Sequence, residues 1–192
     1  MRRTQAERTE TTTSGLVETA AGLFGRDGYA ATSIEDVARA TGVTKGAVYH
    51  HFDGKAGLFR AVFVREEQRL AERLVAAAGG ATDPWTAVRA GCAAFLDACL
   101  DPAVRQIILL DGPAVLGWQE VRRIEDDYLV ALLRRGLERA GGGNVEARTH
   151  LLVGALCEAG LLLARDPGAK AALGREVGLL IDAYATRQPD AE

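Results

Sequence analysis

The sequence predicts an all-α protein of about nine helices, and three observations carry that prediction. Apolar residues recur at intervals of three and four along nearly the whole chain, which is the spacing of one helix face. No alternating run of β-branched residues marks a strand, and Gly, Pro, Asp and Asn cluster where they cut the pattern into helix-sized pieces. With 192 residues, 26% charged and 48% hydrophobic, the chain suits one or two small domains and excludes disordered, collagenous and fibrous classes.

Leu16, Ala20, Leu23 and Phe24 give the first helix its stripe, and Gly25 and Gly28 are expected to close it. Ser33 offers an N-cap to the second, with Asp36 in the capping-box place where Glu is usual. Ile34, Val37 and Ala38 then face inward until Gly42 stops the helix. Past the turn Thr41-Gly42-Val43, Thr44 caps a third short helix running to about His51, ended by Asp53-Gly54. A fourth, from about Lys55, carries Leu58, Val62 and Leu70 to about Ala78. Gly79, Gly80, Thr82, Asp83 and Pro84 mark a linker there, read as a boundary. Further helices are expected near 84–100, 102–110, 118–140, 145–166 and 169–186. The breaks are Asp101-Pro102, Asp111-Gly112-Pro113, Gly141-Gly142-Gly143-Asn144 and Asp166-Pro167-Gly168.

Charge excludes a globally basic nucleic-acid binder: 23 Lys and Arg stand against 26 Asp and Glu, for a net charge of -3. Residues 1–60 nevertheless hold 8 Lys/Arg and 7 Asp/Glu, so the front of the chain is its less acidic part. Three Cys make no disulfide framework, and Cys92 and Cys99 stand about 10 Å apart along one helix, which fits a reducing cytoplasm. The N-terminal stretch is polar. The longest nearly apolar run, Leu151 to Ala164, has fourteen residues broken by Glu158, fewer than a membrane span needs. Neither export nor a membrane partner is expected.

Two short helices joined by a Gly-containing turn make a helix-turn-helix, whose second helix enters the DNA major groove. That helix must be small at its leading end, so its backbone can approach base edges, with longer polar groups behind it for phosphates. Thr44, Lys45, Gly46 and Ala47, followed by Tyr49, His50 and His51, meet this demand. Lys45 can donate to guanine, the methyls of Thr44 or Ala47 can touch a thymine methyl, and Tyr49 and the histidines can reach phosphates. Lys55, at the start of the fourth helix, and Thr32 and Ser33, at the start of the second, sit where free N–H groups favour an anion. Arg2 and Arg3 could lie along the backbone or in the minor groove.

The stretch Gly28-Tyr29-Ala30-Ala31-Thr32-Ser33-Ile34, through Thr41-Gly42-Val43-Thr44-Lys45-Gly46-Ala47-Val48-Tyr49-His50-His51-Phe52, to Lys55-Ala56-Gly57-Leu58 resembles the N-terminal domain of the TetR family of bacterial transcriptional regulators, over about residues 14–60. The resemblance implies an N-terminal three-helix DNA-binding head and a C-terminal helical ligand-binding and dimerisation body, divided here as 1–60 and 61–192. It implies a ligand-responsive regulator, a repressor released from a pseudo-palindromic operator by a small, mostly apolar effector. By position it carries phosphate contacts to Tyr49, His51 and Lys55, base or groove contacts to Thr44, Lys45, Gly46 and Ala47, and support to Thr32 and Ser33. His50 stands where the family varies. Gly57 departs from the pattern, since better helix formers are usual in that first turn.

For the body, Val88, Cys92, Phe95, Leu96, Cys99, Leu109, Leu110, Trp118, Tyr128 and Leu132 are the candidate lining of an effector cavity, against the alternative of a filled core. The series from Leu151 to Ala164 is apolar nearly all round and so needs cover on most sides. A partner copy supplies it, with Leu152, Ala155, Leu156, Ala159, Leu163, Val177, Ile181 and Tyr184 as candidate contacts in a two-fold homodimer. Such a dimer spaces two recognition helices about one DNA turn apart.

Blander readings remain beside these. Phe52 is expected in the core, and Tyr49 could be buried in the head. His50 and His51 diverge on a helix and make a poor metal pair, while Glu146 and His150 read as an ordinary pair. Glu125-Asp126-Asp127 reads as a solvated face. The Cys read as small buried hydrophobes, with redox sensing as the alternative. No catalytic motif, cofactor loop or metal-ligand set is present, so no enzyme, cofactor or metal is expected. A helical protein that sequesters a small ligand or a protein without touching DNA is the competing class.

Overall fold

The computed structural model describes residues 5–186 except Gly142. Arg2 and Arg3 lie outside the described residues. Nine helical stretches run along the rest: α1 (Gln5–Ala31), α2 (Ile34–Thr41), α3 (Lys45–His51), α4 (Gly54–Ala78), α5 (Pro84–Ala98), α6 (102–116), α7 (118–139), α8 (Val145–Arg165) and α9 (Lys170–Thr186). Among the described residues there is no strand. Two compact units form. One holds the residues up to Glu66 together with Pro102–Gln119; the other holds Glu67–Asp101 and the residues from Glu120 onward. The Gly54–Glu66 part of α4 thus belongs to the first unit and Glu67–Ala78 to the second.

In the first unit, α1 buries Leu16, Ala20 and Phe24 along the predicted stripe, while Leu23 is only half-buried. Phe24 and Phe59 meet edge-on with ring centroids 5.2 Å apart, and Tyr29 meets Phe59 at 5.1 Å. Two expected breaks do not occur. Gly25 leaves α1 helical because its role is close packing: a Cβ there would lie 2.7 Å from Ala103 Cβ on α6. The kink comes at Gly28, whose φ of 80° no other residue type adopts cheaply. Likewise the helix expected over 102–110 continues to Leu116, through the π-helical turn Arg105–Asp111 and past Pro113. Gly112 is required inside it, since a Cβ would lie 2.4 Å from Phe63 Cε2, and Gly117, with φ 78°, ends it.

The second unit packs α8 against α5, α7 and α9. α8 has 21 residues and contains an 18-residue window of mean hydropathy 1.3, so it is long and apolar enough by length and composition to cross a membrane, as a core helix also is. It exceeds the fourteen-residue run counted in the sequence because Val145 to His150 and Arg165 continue the helix. Leu152, Val153, Leu156, Ala159, Gly160 and Leu163 are buried along one side of it. Arg89–Asp182 and Asp97–Lys170 ion pairs tie α5 to α9, and Arg89 also donates to the Gly178 carbonyl at 3.3 Å.

Candidate nucleic-acid interface and effector cavity

The helix-turn-helix is built by local caps. Ser33 Oγ accepts from the Asp36 N–H at 3.1 Å while the Asp36 carboxylate accepts from the Ser33 N–H at 3.1 Å, so the Asp completes the capping box that Glu usually closes. Gly42, with φ 71° and ψ 20°, closes α2 in the left-handed conformation, its N–H directed to the Ala38 and Arg39 carbonyls. Thr44 Oγ1 accepts from the Ala47 N–H at 3.2 Å and so starts α3.

Val48, fully buried, fixes which way α3 faces. Thr44, Lys45, Gly46, Tyr49 and His50 are then exposed, and Ala47 and His51 are half-buried. Tyr49 keeps 51% of its surface, so it is not a core residue. Phe52 is half-buried at the C-cap rather than in the core, its N–H directed to the Val48 carbonyl at 3.0 Å. His51 Nδ1 lies 3.1 Å from the Thr13 hydroxyl on α1, which pins the imidazole. Lys55 Nζ sits 4.1 Å from the centroid of the Tyr29 ring and donates to the Ala30 carbonyl at 3.4 Å. Lys45 forms an ion pair with Glu35 on α2; the hydrogen bond between them raises the ammonium pKa and lowers that of the carboxyl.

Thr32 departs from its expected place on this surface. It is buried, and its hydroxyl donates to the Gly28 carbonyl at 2.9 Å, closing the end of α1 instead of facing an anion. Ser33 is half-buried with its hydroxyl committed to the capping box.

The second unit holds a cavity of about 430 Å³. Leu74 and Val75 of α4, Val88, Cys92 and Phe95 of α5, Leu129, Leu132, Leu133 and Gly136 of α7, and Val153, Leu156 and Cys157 of α8 supply its apolar wall. Four residues expected there are present: Val88, Cys92, Phe95 and Leu132. Leu96 and Cys99 are buried but off the wall, because they sit on other faces of the same helical region. Tyr128 is also off it, its hydroxyl accepting from Gln68 Nε2 at 2.8 Å. Leu109, Leu110 and Trp118 belong to the first unit, Leu110 and Trp118 being exposed there. Burial pushes the Cys92 thiol up to about 12 and that of Cys157 to about 11, which keeps both in the unreactive thiol form.

Charged groups also reach this wall: Glu125, Arg135 and Arg139. Glu125 is buried while its neighbours Asp126 and Asp127 are exposed, so only part of that acidic run is a solvated face. Glu67 is fully buried nearby. Glu67 is not among the residues the sequence reading picks out, although Phe63, Glu67, Leu70 and Leu74 share the spacing of one helix face, and a carboxylate on an apolar stripe was the available signal.

Most of the residues expected to meet a partner copy are already covered within the chain. Leu152, Leu156, Ala159, Leu163, Val177 and Ile181 are buried within the chain itself. Tyr184 is half-buried and held by Arg148, whose guanidinium carbon lies 4.9 Å from the ring centroid. Ala155 is half-buried. Exposed on these helices are Leu151 and Leu162 of α8 and Leu179 of α9, with Gly154 and Gly174.

Two family models match the chain: one described as bacterial regulatory proteins of the tetR family over residues 16–62, and one as a tetracyclin repressor-like C-terminal domain over 85–183. A crystal structure of a TetR-family transcriptional regulator from Pectobacterium atrosepticum is similar at 33% identity with a TM-score of 0.80, covering 97% of this chain and 100% of that one. The transposon Tn10 TetC protein of Escherichia coli is 30% identical over 125 residues, 65% of this chain and 63% of its own length. The transcriptional regulator CymR of Pseudomonas putida is 43% identical over 72 residues, 38% of this chain and 36% of its own. The chain therefore spans less than two thirds of the length of these two curated relatives.

Proposed function

The chain belongs to the TetR family of bacterial regulatory proteins, and from that premise we propose that it is a ligand-responsive, DNA-binding transcriptional regulator that works as a homodimer. It acts in the cytoplasm as a repressor, released from a pseudo-palindromic operator when a small effector fills the cavity of the second unit. The reading assigns the chain no chemical reaction.

One observation carries the DNA-binding half. Val48 anchors α3 so that its leading end, Thr44, Lys45 and Gly46, is exposed and nearly free of bulk. Small groups at that end let the backbone approach base edges, and Lys45 supplies a donor for them. Tyr49, His50, His51 and Lys55 behind it are the phosphate contacts. Ser33 supports the entry to α2 through its cap, and Thr32 does so from within the head. DNA fits one arrangement of the two heads, the effector favours another, and α4, shared by both units, carries the coupling by the effector's differential affinity for the two states.

Selection of genomic fragments on purified protein, followed by fluorescence anisotropy of the enriched duplex across salt concentrations, tests this. The expected result is an inverted-repeat site bound far more tightly than random duplex. A protein that retains no DNA, specific or random, at low salt is instead the sequestering protein that competes with this reading.

A further inference from the structure

Thr13 lies on α1, outside the helix-turn-helix and 38 positions before His51, yet its hydroxyl stands 3.1 Å from His51 Nδ1. Both residues are half-buried. The opposite ring nitrogen, His51 Nε2, has no hydrogen-bond partner among the described residues. The His50 ring lies edge-on to the His51 ring with centroids 5.4 Å apart, and the Phe52 ring lies at 6.4 Å, so the imidazole is held by aromatic neighbours as well as by the hydroxyl. His50 differs. It is exposed and its ring makes no hydrogen bond among the described residues, so placing it on a phosphate costs rotamer freedom that His51 has already lost.

A neutral imidazole carries one N–H, and the hydrogen bond made by one nitrogen decides whether the other holds the proton. A phosphate oxygen only accepts. It is attracted to Nε2–H and repelled by the lone pair that Nε2 presents when the proton sits on Nδ1. A hydroxyl that donates to Nδ1 leaves the proton on Nε2, and by rotating it can accept from Nδ1–H once the ring becomes an imidazolium. We propose that Thr13 is a positioning residue for DNA binding: its hydroxyl donates to His51 Nδ1, fixes the ring and keeps the Nε2 proton available to a backbone phosphate. The inference rests on reading His51 as a phosphate contact. The titratable groups within four positions of either residue are Glu10 on α1, Tyr49 and His50 on α3, and Asp53 and Lys55 after it. No ion pair joins any of them to His51 among the described residues.

Two measurements on the full-length protein test it. Long-range proton–nitrogen NMR correlations of the histidine rings, recorded without DNA at pH 8, should show the His51 proton on Nε2, a result that needs no variant. In anisotropy titrations at pH 8, T13V, which keeps the shape and loses the hydroxyl, should weaken operator and random duplex alike by about threefold to tenfold, the worth of one hydrogen bond. At about pH 6 most of an ordinary imidazole is protonated and carries N–H on both nitrogens, so the same substitution should cost less than about twofold. The groups named above titrate equally in both proteins, so the ratio of variant to wild type is read at each pH. T13S restores the hydroxyl and should recover the wild-type affinity. A proton on Nδ1, or an equal loss at both pH values, overturns the inference and leaves Thr13 a packing residue. H51A separates this from the underlying reading: unchanged affinity for every duplex removes His51 from the interface, whereas a loss with H51A but none with T13V overturns the role of Thr13 alone.

Discussion

Glu35 on α2 and Lys45 on α3 form an ion pair across the turn of the helix-turn-helix, so the lysine assigned to base contact already holds a carboxylate. Both side chains are about half exposed, which makes the pair weak and breakable by a competing acceptor. The proposed contact of Lys45 with a guanine requires operator binding to separate them first. Glu35→Gln is therefore expected to tighten operator binding about threefold at low salt, with the gain fading as salt screens both charges. Lys45→Ala should relax base preference at one operator position, by about 1–3 kcal/mol of lost discrimination. In the double variant the Glu35→Gln gain should shrink, because its partner is gone. An undiminished gain in anisotropy titrations would assign the effect of Glu35 to general repulsion of DNA instead of to this pair.

Lys55 differs from Lys45 in what holds it. Its ammonium lies over the Tyr29 ring and near the Ala30 carbonyl, with no carboxylate partner among the described residues. A cation placed this way at the start of α4 suits a phosphate, and a phosphate contact is blind to sequence. Lys55→Ala should weaken operator and random duplex alike and lower the slope of log affinity against log salt by about 1. Equal slopes for the wild type and the variant would remove Lys55 from the interface.

The head was legible in the sequence because its determinants are local: Ser33, Gly42 and Thr44 each fix a helix end through atoms within four residues. What was not legible depended on partners distant in the chain. Gly25 and Gly112 resemble helix breakers until Ala103 and Phe63 are seen against them, when they become sites of close approach inside unbroken helices. Leu152 sits in a series apolar on nearly every side, so periodicity could not tell the face packed inside the unit from the face left outside. Thr32 carries the right chemistry for an anion site, yet a single bond to the Gly28 carbonyl turns it inward.

Glu67 makes stability depend on pH in a direction opposite to that of most carboxylates. Its folded-state pKa, about 8, lies above the ordinary carboxyl value of 4.5, so over that interval the folded chain binds more protons than the unfolded one. The contribution is complete below about pH 4.5 and is lost as pH rises toward 8. In urea titrations, Glu67→Gln should flatten the decline of stability between pH 5 and 8 and stabilise the protein at pH 8 by a few kcal/mol, to order of magnitude. A variant less stable than the wild type at pH 8 would mean that the carboxylate is ionised and partnered in the folded state.

Leu151, Leu162 and Leu179 remain exposed on α8 and α9, which is unusual for a soluble surface unless it is covered. The proposed homodimer covers them. Light scattering at micromolar concentration should give twice the 20.4 kDa chain mass, and Leu179→Arg should give the single-chain mass with helical content retained. Because one half-site alone holds few phosphates, operator affinity should fall more than tenfold with it. A wild-type mass of one chain, or a dimer indifferent to Leu179→Arg, would move the interface off this face.

Two glycines in helices are expected to answer alanine with opposite signs. Gly57, in the first turn of α4, has only ordinary neighbours: a Cβ would lie 3.5 Å from Asp53 Cβ. It keeps a helical backbone, so Gly57→Ala should stabilise by roughly 0.5–1 kcal/mol through lost freedom of the unfolded chain. Gly25 offers the same helical backbone, but its Cβ would meet Ala103 Cβ at 2.7 Å, and the backbone Cα of Ala103 is only 3.1 Å away. There α1 and α6 have to move apart, and Gly25→Ala should cost about 1–3 kcal/mol. Thermal unfolding of the two variants side by side separates helix propensity from packing. If Gly25→Ala proved as benign as Gly57→Ala, the contact between α1 and α6 would be looser than these distances require.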